Sequence, residues 1–107
     1  MGFTRYWVRP RQLERDRFRS FADACKLECS ALGVGLLAEE FTTESISFDG
    51  IPSCERFTIE CVSQGRERDG RITEYCKTQG LPYDKAVVAC LALLKEHFPE
   101  VELPEPS

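Results

Sequence analysis

The sequence has no hydrophobic run long enough to cross a membrane. Its longest apolar stretch, Ala86 to Leu94, has nine residues, whereas a membrane-spanning helix needs about 20. The opening MGFTRYWVRPRQ also lacks the apolar segment of a secretory signal. We therefore expect a cytoplasmic protein with no membrane-bound segment.

Histidine is scarce, and the cysteines are not spaced as metal ligands usually are. His97 is the only histidine, and among six cysteines only Cys25 and Cys29 lie close together. A structural zinc site normally shows a second such pair. Reduced thiols packed in the core are the favoured interpretation, with a disulfide and a metal site as weaker alternatives. The sequence predicts no metal and no other cofactor.

An excess of positive charge is also absent. The formal net charge is −4, although residues 1–19 contain six arginines against two acidic residues and residues 20–107 contain eight Lys/Arg against sixteen Asp/Glu. A basic end on an acidic body can bind an anion locally while the whole molecule repels nucleic acid. We therefore expect no general DNA binding, which usually needs a basic domain.

With 107 residues, the chain is long enough for one hydrophobic core. We expect a single domain over residues 1–100, and a C-terminal tail or short edge strand over 101–107. Apolar residues at helical spacing predict a first helix over about 12–32, which ends at Gly33. A second helix follows Pro82 and is apolar nearly all round. Its buried side chains are expected to include Val87, Cys90, Leu91 and Leu94.

Alternating apolar and polar residues predict the strands. The segments are residues 3–9, a weaker 34–43, 45–48, 57–61 and 72–78. Asp49-Gly50 is typical of a hairpin turn, and the hydrophilic segment GRERDG, residues 65–70, predicts another turn. The order β-α-β-β-β-α, with or without a short last strand, predicts an α+β fold. Its antiparallel sheet of about four strands carries both helices on one face.

The segment YCKTQGLPYD, residues 75–84, joins the last long strand to the second helix. Unpaired N–H groups and the dipole at a helix N-terminus attract anions, and Lys77 and Thr78 add a cation and a hydroxyl group. The P-loop pattern GxxxxGK[ST] is absent, and the Asp84 carboxylate would oppose an anion. A structural role for Lys77, Tyr83 and Asp84 is therefore the stronger alternative on the motif alone.

Aromatic and acidic residues elsewhere give weaker signals. Tyr6 and Trp7 beside Arg5 and Arg9 can stack a base or hold an anion, or they belong to a strand that buries one aromatic face. Two carboxylates, Asp49 and Glu55, flank the first hairpin, where turn chemistry is their ordinary role.

Five short motifs follow one another along the chain. They are Gly2-Phe3-Thr4-Arg5-Tyr6-Trp7, Ile46-Ser47-Phe48-Asp49-Gly50, Cys54-Glu55-Arg56-Phe57, Tyr75-Cys76-Lys77-Thr78 and Pro82-Tyr83-Asp84. Together they resemble a family of small, largely uncharacterised phage and bacterial proteins. The family's basic spacer is replaced here by Gln79-Gly80-Leu81, and the chain ends in PEPS. The resemblance implies one coherent surface rather than a particular chemistry.

These motifs predict one composite ligand-binding pocket beside the second helix. Arg5 and Lys77 would supply cations, Trp7 or Tyr83 a stacking surface, and Asp49 or Glu55 hydrogen-bond acceptors. Thr78 and Asp84 complete the predicted set, and no catalytic residue is assigned.

Three functions remain open from the sequence. The first is a small non-enzymatic binding protein that holds an anionic or nucleotide-like ligand. The second is a phage-type counter-defence or inhibitor protein that acts through a protein–protein interface. The third is a small metal-assisted hydrolase that uses Asp49, Glu55 or Asp84. The oligomeric state is open.

Overall fold

Two helices and six strands make up the fold in the computed structural model, which describes residues 3–105. The α+β class is confirmed. Gly2 of the opening motif and the last two residues of the PEPS ending lie outside the described residues. The elements in chain order are β1 (Thr4–Arg9), α1 (Arg15–Leu32), β2 (Leu36–Phe41), β3 (Ser45–Gly50), β4 (Phe57–Glu60), β5 (Glu67–Arg68), β6 (Arg71–Lys77) and α2 (Asp84–His97).

The strands form two antiparallel sheets of three strands each, where the sequence predicted about four strands in one. The first sheet has the order β1-β6-β5 and the second the order β2-β3-β4. Backbone hydrogen bonds join the sheets where the chain runs on past β1 and β4. Leu13 N donates to Cys61 O at 2.9 Å, and Ser63 N donates to Arg11 O at 2.8 Å.

The hydrophobic stripe of α1 is buried as predicted except for Leu32, which is 38% exposed. Gly33 ends the helix with a φ of 68°. The helix begins at Arg15 rather than near residue 12, because Leu13 is engaged with the second sheet. The Glu14 carboxylate then caps the helix by accepting the backbone N–H groups of Asp16 and Arg17. This cap fixes where α1 starts.

The expected buried face of α2 is confirmed, since Val87, Cys90, Leu91 and Leu94 are all buried. Val88 is 42% exposed, so one side of the helix faces solvent. α1 packs against α2 and the second sheet, and α2 also contacts β1. No helix within residues 3–105 is long and apolar enough to span a membrane.

Two Asp-Gly pairs behave differently from each other. Asp49-Gly50, predicted as a turn, lies inside β3 and pairs with Leu37 and Leu36 of β2. Gly50 is needed there because a Cβ would lie 2.3 Å from Cγ of Tyr83. The true two-residue turn is Asp69-Gly70, with φ of 54° and 78°, which is typical of a type I′ hairpin. It pairs β5 with β6 where the sequence predicted only a turn.

The C-terminal segment docks on the free edge of β1. Val8 and Glu102 exchange two backbone hydrogen bonds of 2.9 Å, and Val101 is fully buried. Residues up to this point therefore belong to the folded unit.

Five of the six cysteines are buried and Cys54 is exposed. Cys29 Sγ on α1 lies 3.7 Å from Cys90 Sγ on α2, and this contact together with burial raises the pKa of Cys29. Burial raises the pKa of Cys76 to about 12. Within residues 3–105, no group of three or more Cys, His, Asp or Glu side chains is placed to hold a metal ion.

These environments predict one fast thiol among six. A neutral-pH titration of the reduced, native protein with an aromatic disulfide reagent should give one rapid equivalent, because only Cys54 is accessible. Denaturation should raise the total to six. Cys54→Ser should abolish the rapid phase, and two or more rapid equivalents in the native protein would contradict the buried placement of the others.

Candidate functional site

Arg5 and Asp84 neutralise each other. Arg5 Nε and one terminal nitrogen donate to the two oxygens of Asp84 at 2.9 and 2.6 Å, and Thr78 Oγ1 donates to the same carboxylate at 2.6 Å. Burial raises the pKa of Asp84, but the hydrogen bonds from Arg5 and Thr78 outweigh it, so this pKa lies below its ordinary value. Arg5 is therefore already paired and is not free to hold an external anion.

The N-terminus of α2 has no spare donors for an anion in its first turn. The N–H groups of Asp84, Lys85 and Ala86 donate to the carbonyl groups three residues earlier, at 2.8, 3.3 and 3.0 Å. The Asp84 carboxylate adds negative charge at the same place. The anion site predicted at this strand-to-helix junction is therefore not formed.

Tyr83 is a buried anchor rather than a stacking surface. Its hydroxyl group donates to Glu55 O at 2.6 Å and accepts from the backbone N–H groups of Cys54 and Glu55. The ring is fully buried against Gly50. Tyr83 thus fixes the connection between β3 and β4.

Trp7 is also a core residue, with 1% of its surface exposed. Its Nε1 donates to Glu74 Oε1 at 2.7 Å, and its ring packs edge-on against Phe57. Ser63 Oγ donates to the other oxygen of Glu74 at 2.5 Å. These contacts match the alternative interpretation, in which β1 buries one aromatic face.

Lys77 lies on the opposite face of the first sheet from Arg5 and Trp7. The register pairs Arg5 with Cys76 and Trp7 with Glu74, whereas Lys77 pairs with Thr4. Directly paired residues share a face and successive residues alternate. The composite pocket of Arg5, Trp7, Lys77 and Tyr83 is therefore not formed.

The three carboxylates considered for a hydrolase do not lie together in one site. Asp49 pairs with Arg56 at 2.9 Å, and Glu55 Oε1 accepts the backbone N–H of Lys77 at 2.8 Å. Asp84 pairs with Arg5. Each carboxylate has its own structural partner, so the geometry does not favour shared acid–base chemistry.

A different surface gathers side chains on the side of the first sheet away from Trp7 and Arg9. We call it the outer face, and it comprises Thr4, Tyr6, Val8, Arg71, Thr73, Tyr75 and Lys77 on β1 and β6. Thr73, Tyr75 and Lys77 are exposed, while the alternating Ile72 and Cys76 are buried. The ladder pairs Tyr6 with Tyr75, and their ring centroids are 6.1 Å apart.

The β5–β6 hairpin extends the outer face with arginines. Arg66, Arg68 and Arg71, with Asp69 and Thr73, line an open cavity of about 430 Å³. Arg71 pairs with Glu102 at 3.1 Å and has a buried Nε with no partner. Within the described chain, Arg66, Arg68 and Lys77 have no side-chain ion pair or hydrogen bond. The outer face thus combines aromatic rings with free cations.

Comparisons with family models, with curated proteins and with solved structures found no match for this chain. The resemblance to the phage and bacterial family remains a prediction. The candidate site is therefore argued from geometry alone.

The sequence analysis named Tyr6 and Lys77 as candidates, but it missed Thr73 and the arginines Arg66, Arg68 and Arg71. Two signals could have found them. Alternate positions of RITEYCK place Arg71, Thr73, Tyr75 and Lys77 on one side of a strand. The Asp69-Gly70 pair predicts a two-residue hairpin that returns Arg68 to the same side as Arg71.

The Arg5–Asp84 ion pair predicts that the unfolding free energy falls as the pH is lowered. The folded-state pKa of Asp84 lies below its ordinary value of 3.8. The ion pair therefore stabilises the fold fully above pH 3.8, and this stabilisation is lost as the pH falls through the folded-state pKa. At pH 7, Asp84→Asn should lower the unfolding free energy by about 1.5–3 kcal/mol, the range for hydrogen bonds to charged groups. Urea unfolding at pH 7 and pH 2 measures the effect.

The difference between Asp84→Asn and the parent protein should shrink at pH 2. Asp23→Asn, on the exposed side of α1, is the control and should have little effect at either pH. A penalty for Asp84→Asn that stays the same at both pH values would show that the carboxylate charge does not carry the stabilisation.

Proposed function

We propose that the protein is a non-enzymatic binding protein whose ligand is nucleotide-like, with an aromatic base joined to phosphate. The ligand binds the outer face, not the strand-to-helix junction. The observation that carries this proposal is the Tyr6–Tyr75 pair, flanked on one exposed sheet face by Lys77 at one end and by Arg66, Arg68 and Arg71 at the other.

Tyr75 supplies the stacking surface. Its side chain is 55% exposed, although its alternating neighbours Glu74 and Cys76 point inward. Base stacking on an aromatic side chain contributes about 1–3 kcal/mol per base and tolerates any base. Tyr6 packs beside Tyr75 at a tilt of 43°, which widens the aromatic platform.

The free cations supply phosphate recognition. Lys77 is two residues from Tyr75 along β6, or about 7 Å, a distance that suits a base on the ring and its phosphate on the ammonium group. Arg66 and Arg68 have no ion pair within the described residues and can hold a phosphate at the other end, whereas Arg71, opposite Arg68 across the hairpin, is already paired with Glu102. The chain is acidic overall, so this attraction acts locally.

Four of the residues predicted from the motifs take a supporting role in this proposal. Thr78 N donates to Phe3 O at 2.9 Å, and the Glu55 carboxylate accepts from the Lys77 N–H at 2.8 Å. Asp84 in turn fixes Thr78, and Tyr83 holds the Glu55 backbone. These contacts position the end of β6 that carries Lys77.

A second candidate is the inhibitor or counter-defence protein, and one observation favours it. β2 is an edge strand on which Leu37 is 53% exposed beside the exposed Glu39 and Glu40. An acidic edge with one apolar side chain suits a basic protein partner. Such a partner would contact β2 rather than the outer face.

Backbone amide NMR of the protein titrated with ATP tests the proposed function. We expect shifts concentrated at Thr73, Tyr75 and Lys77, because the adenine ring and phosphates contact that face. Inorganic tripolyphosphate should shift the amides near the cations but produce smaller changes at Tyr75. Tyr75→Ala should remove the excess response to ATP and retain the response to tripolyphosphate.

Shifts that are absent from the outer face in the millimolar range would contradict the proposal. Tyr75→Phe is the matched control, because it keeps the ring and should keep the ATP response.

A further inference from the structure

We propose that the natural ligand of the outer face is single-stranded RNA, bound over several consecutive nucleotides. This inference rests on the proposed function and names the class of nucleotide-like ligand. It is carried by the length of the face, by its openness, and by the hydroxyl groups beside the tyrosine pair.

The outer face is longer than one nucleotide. Arg68, opposite Arg71 across the hairpin, and Lys77 mark its two cationic ends, and the stretch of β6 from Arg71 to Lys77 spans about 20 Å. The Tyr6–Tyr75 pair lies between them. A mononucleotide that stacks on Tyr75 and places its phosphate on Lys77 leaves the arginine end empty. A strand of several nucleotides can occupy both ends and the aromatic platform together.

The face is also open. The cavity at the hairpin is lined by the three arginines, Asp69 and Thr73 and does not extend to Tyr75, so a base on the tyrosine is not enclosed. Enclosure is what normally gives a small ligand its affinity. On an open platform, affinity comes from repeated stacking and phosphate contacts along a strand.

Stacking on Tyr75 requires an unpaired base. In a duplex both faces of each base are covered by neighbouring base pairs, so sequence-tolerant aromatic platforms bind single strands. The acidic body also repels a duplex, whose charge density is higher. A single strand laid along β6 meets the cations of the outer face first.

Two threonines favour RNA over DNA. In the ladder, Thr73 pairs with Val8 and Thr4 pairs with Lys77, so one threonine lies on each side of the tyrosine pair. Neither hydroxyl group has a partner in residues 3–105. A ribose 2′-OH can donate to such a hydroxyl and accept from it, and deoxyribose cannot.

The experiment is a fluorescence-anisotropy titration with labelled oligouridylates of one, two, four and eight nucleotides. The Kd should fall at least tenfold from two to eight nucleotides, which is more than the extra binding registers of the longer strand supply. The eight-nucleotide deoxyuridylate of the same sequence should bind at least threefold more weakly, because it lacks the 2′-OH. A double-stranded RNA of equal length should bind more weakly still.

The salt dependence of the RNA affinity measures how many cationic side chains neutralise phosphates. Single strands lose affinity with a logarithmic slope of about −0.7 for each phosphate neutralised, so the three unpaired cations, Arg66, Arg68 and Lys77, predict a slope of about −2. Lys77→Ala should reduce the slope by about 0.7. Lys26→Ala removes the same charge from α1, beside a different cavity, and should leave the slope unchanged.

Tyr75→Ala should weaken binding of the eight-nucleotide RNA at least fivefold, and Tyr75→Phe should restore it. Circular dichroism of each variant confirms that the fold is retained.

The outcomes separate this inference from the proposed function. Equal Kd values for two and eight nucleotides, or for RNA and its deoxy counterpart, would overturn the inference and leave a nucleotide-binding face. Failure of both the RNA and ATP to bind the outer face would overturn both. RNA binding that Tyr75→Ala and Lys77→Ala do not alter would place the site elsewhere and overturn both as well.

Discussion

One buried guanidinium group holds the two sheets together. Arg9 is fully buried at the end of β1, and its five N–H donors meet the carbonyl groups of residues 10, 11, 60 and 61 and the Glu74 carboxylate. Burial lowers the pKa of this guanidinium group, and Glu74 opposes that effect, but arginine remains charged. The charge is therefore held by carbonyl groups from both sides of the sheet junction. The register of β1 against β6 and the docking of residues 60–61 both depend on this contact.

The contact between Arg9 and Glu74 also explains which side chains of the first sheet point inward and which point outward. Glu74 accepts hydrogen bonds from Trp7 and Ser63 and forms an ion pair with Arg9 at 3.5 Å, so the polar groups of the inner face are satisfied within the fold. Because strand residues alternate, fixing Trp7 and Glu74 inward turns Tyr6, Tyr75 and Lys77 outward. The inner polar groups therefore serve stability. Tyr75 and Lys77 are exposed on the outer face, which is where the proposed ligand would bind.

Local patterns predicted much of the fold, and non-local contacts account for the differences. The helices followed from hydrophobic spacing and from Gly33, because those signals act within a few residues. Asp49-Gly50 lies within β3, where Gly50 packs against Tyr83, a residue distant in sequence. The turn propensity of this pair was therefore misleading. Within the candidate site, Lys77 was predicted and the hairpin arginines were not. The sequence motifs mixed residues from both faces of the sheet, and only the register separates them.

The most direct test of whether Arg9 fixes the inner and outer faces of the first sheet compares substitutions at two arginines, one buried and one exposed. Urea unfolding at pH 7 should show that Arg9→Lys lowers the unfolding free energy by about 2–4 kcal/mol, because a single ammonium group cannot reproduce the set of hydrogen bonds that the buried guanidinium group makes. Arg66→Lys, at the exposed hairpin, should change it by no more than about 0.5 kcal/mol. Equal and small effects at both positions would contradict the account, since the buried guanidinium group would then not be what fixes the inner and outer faces.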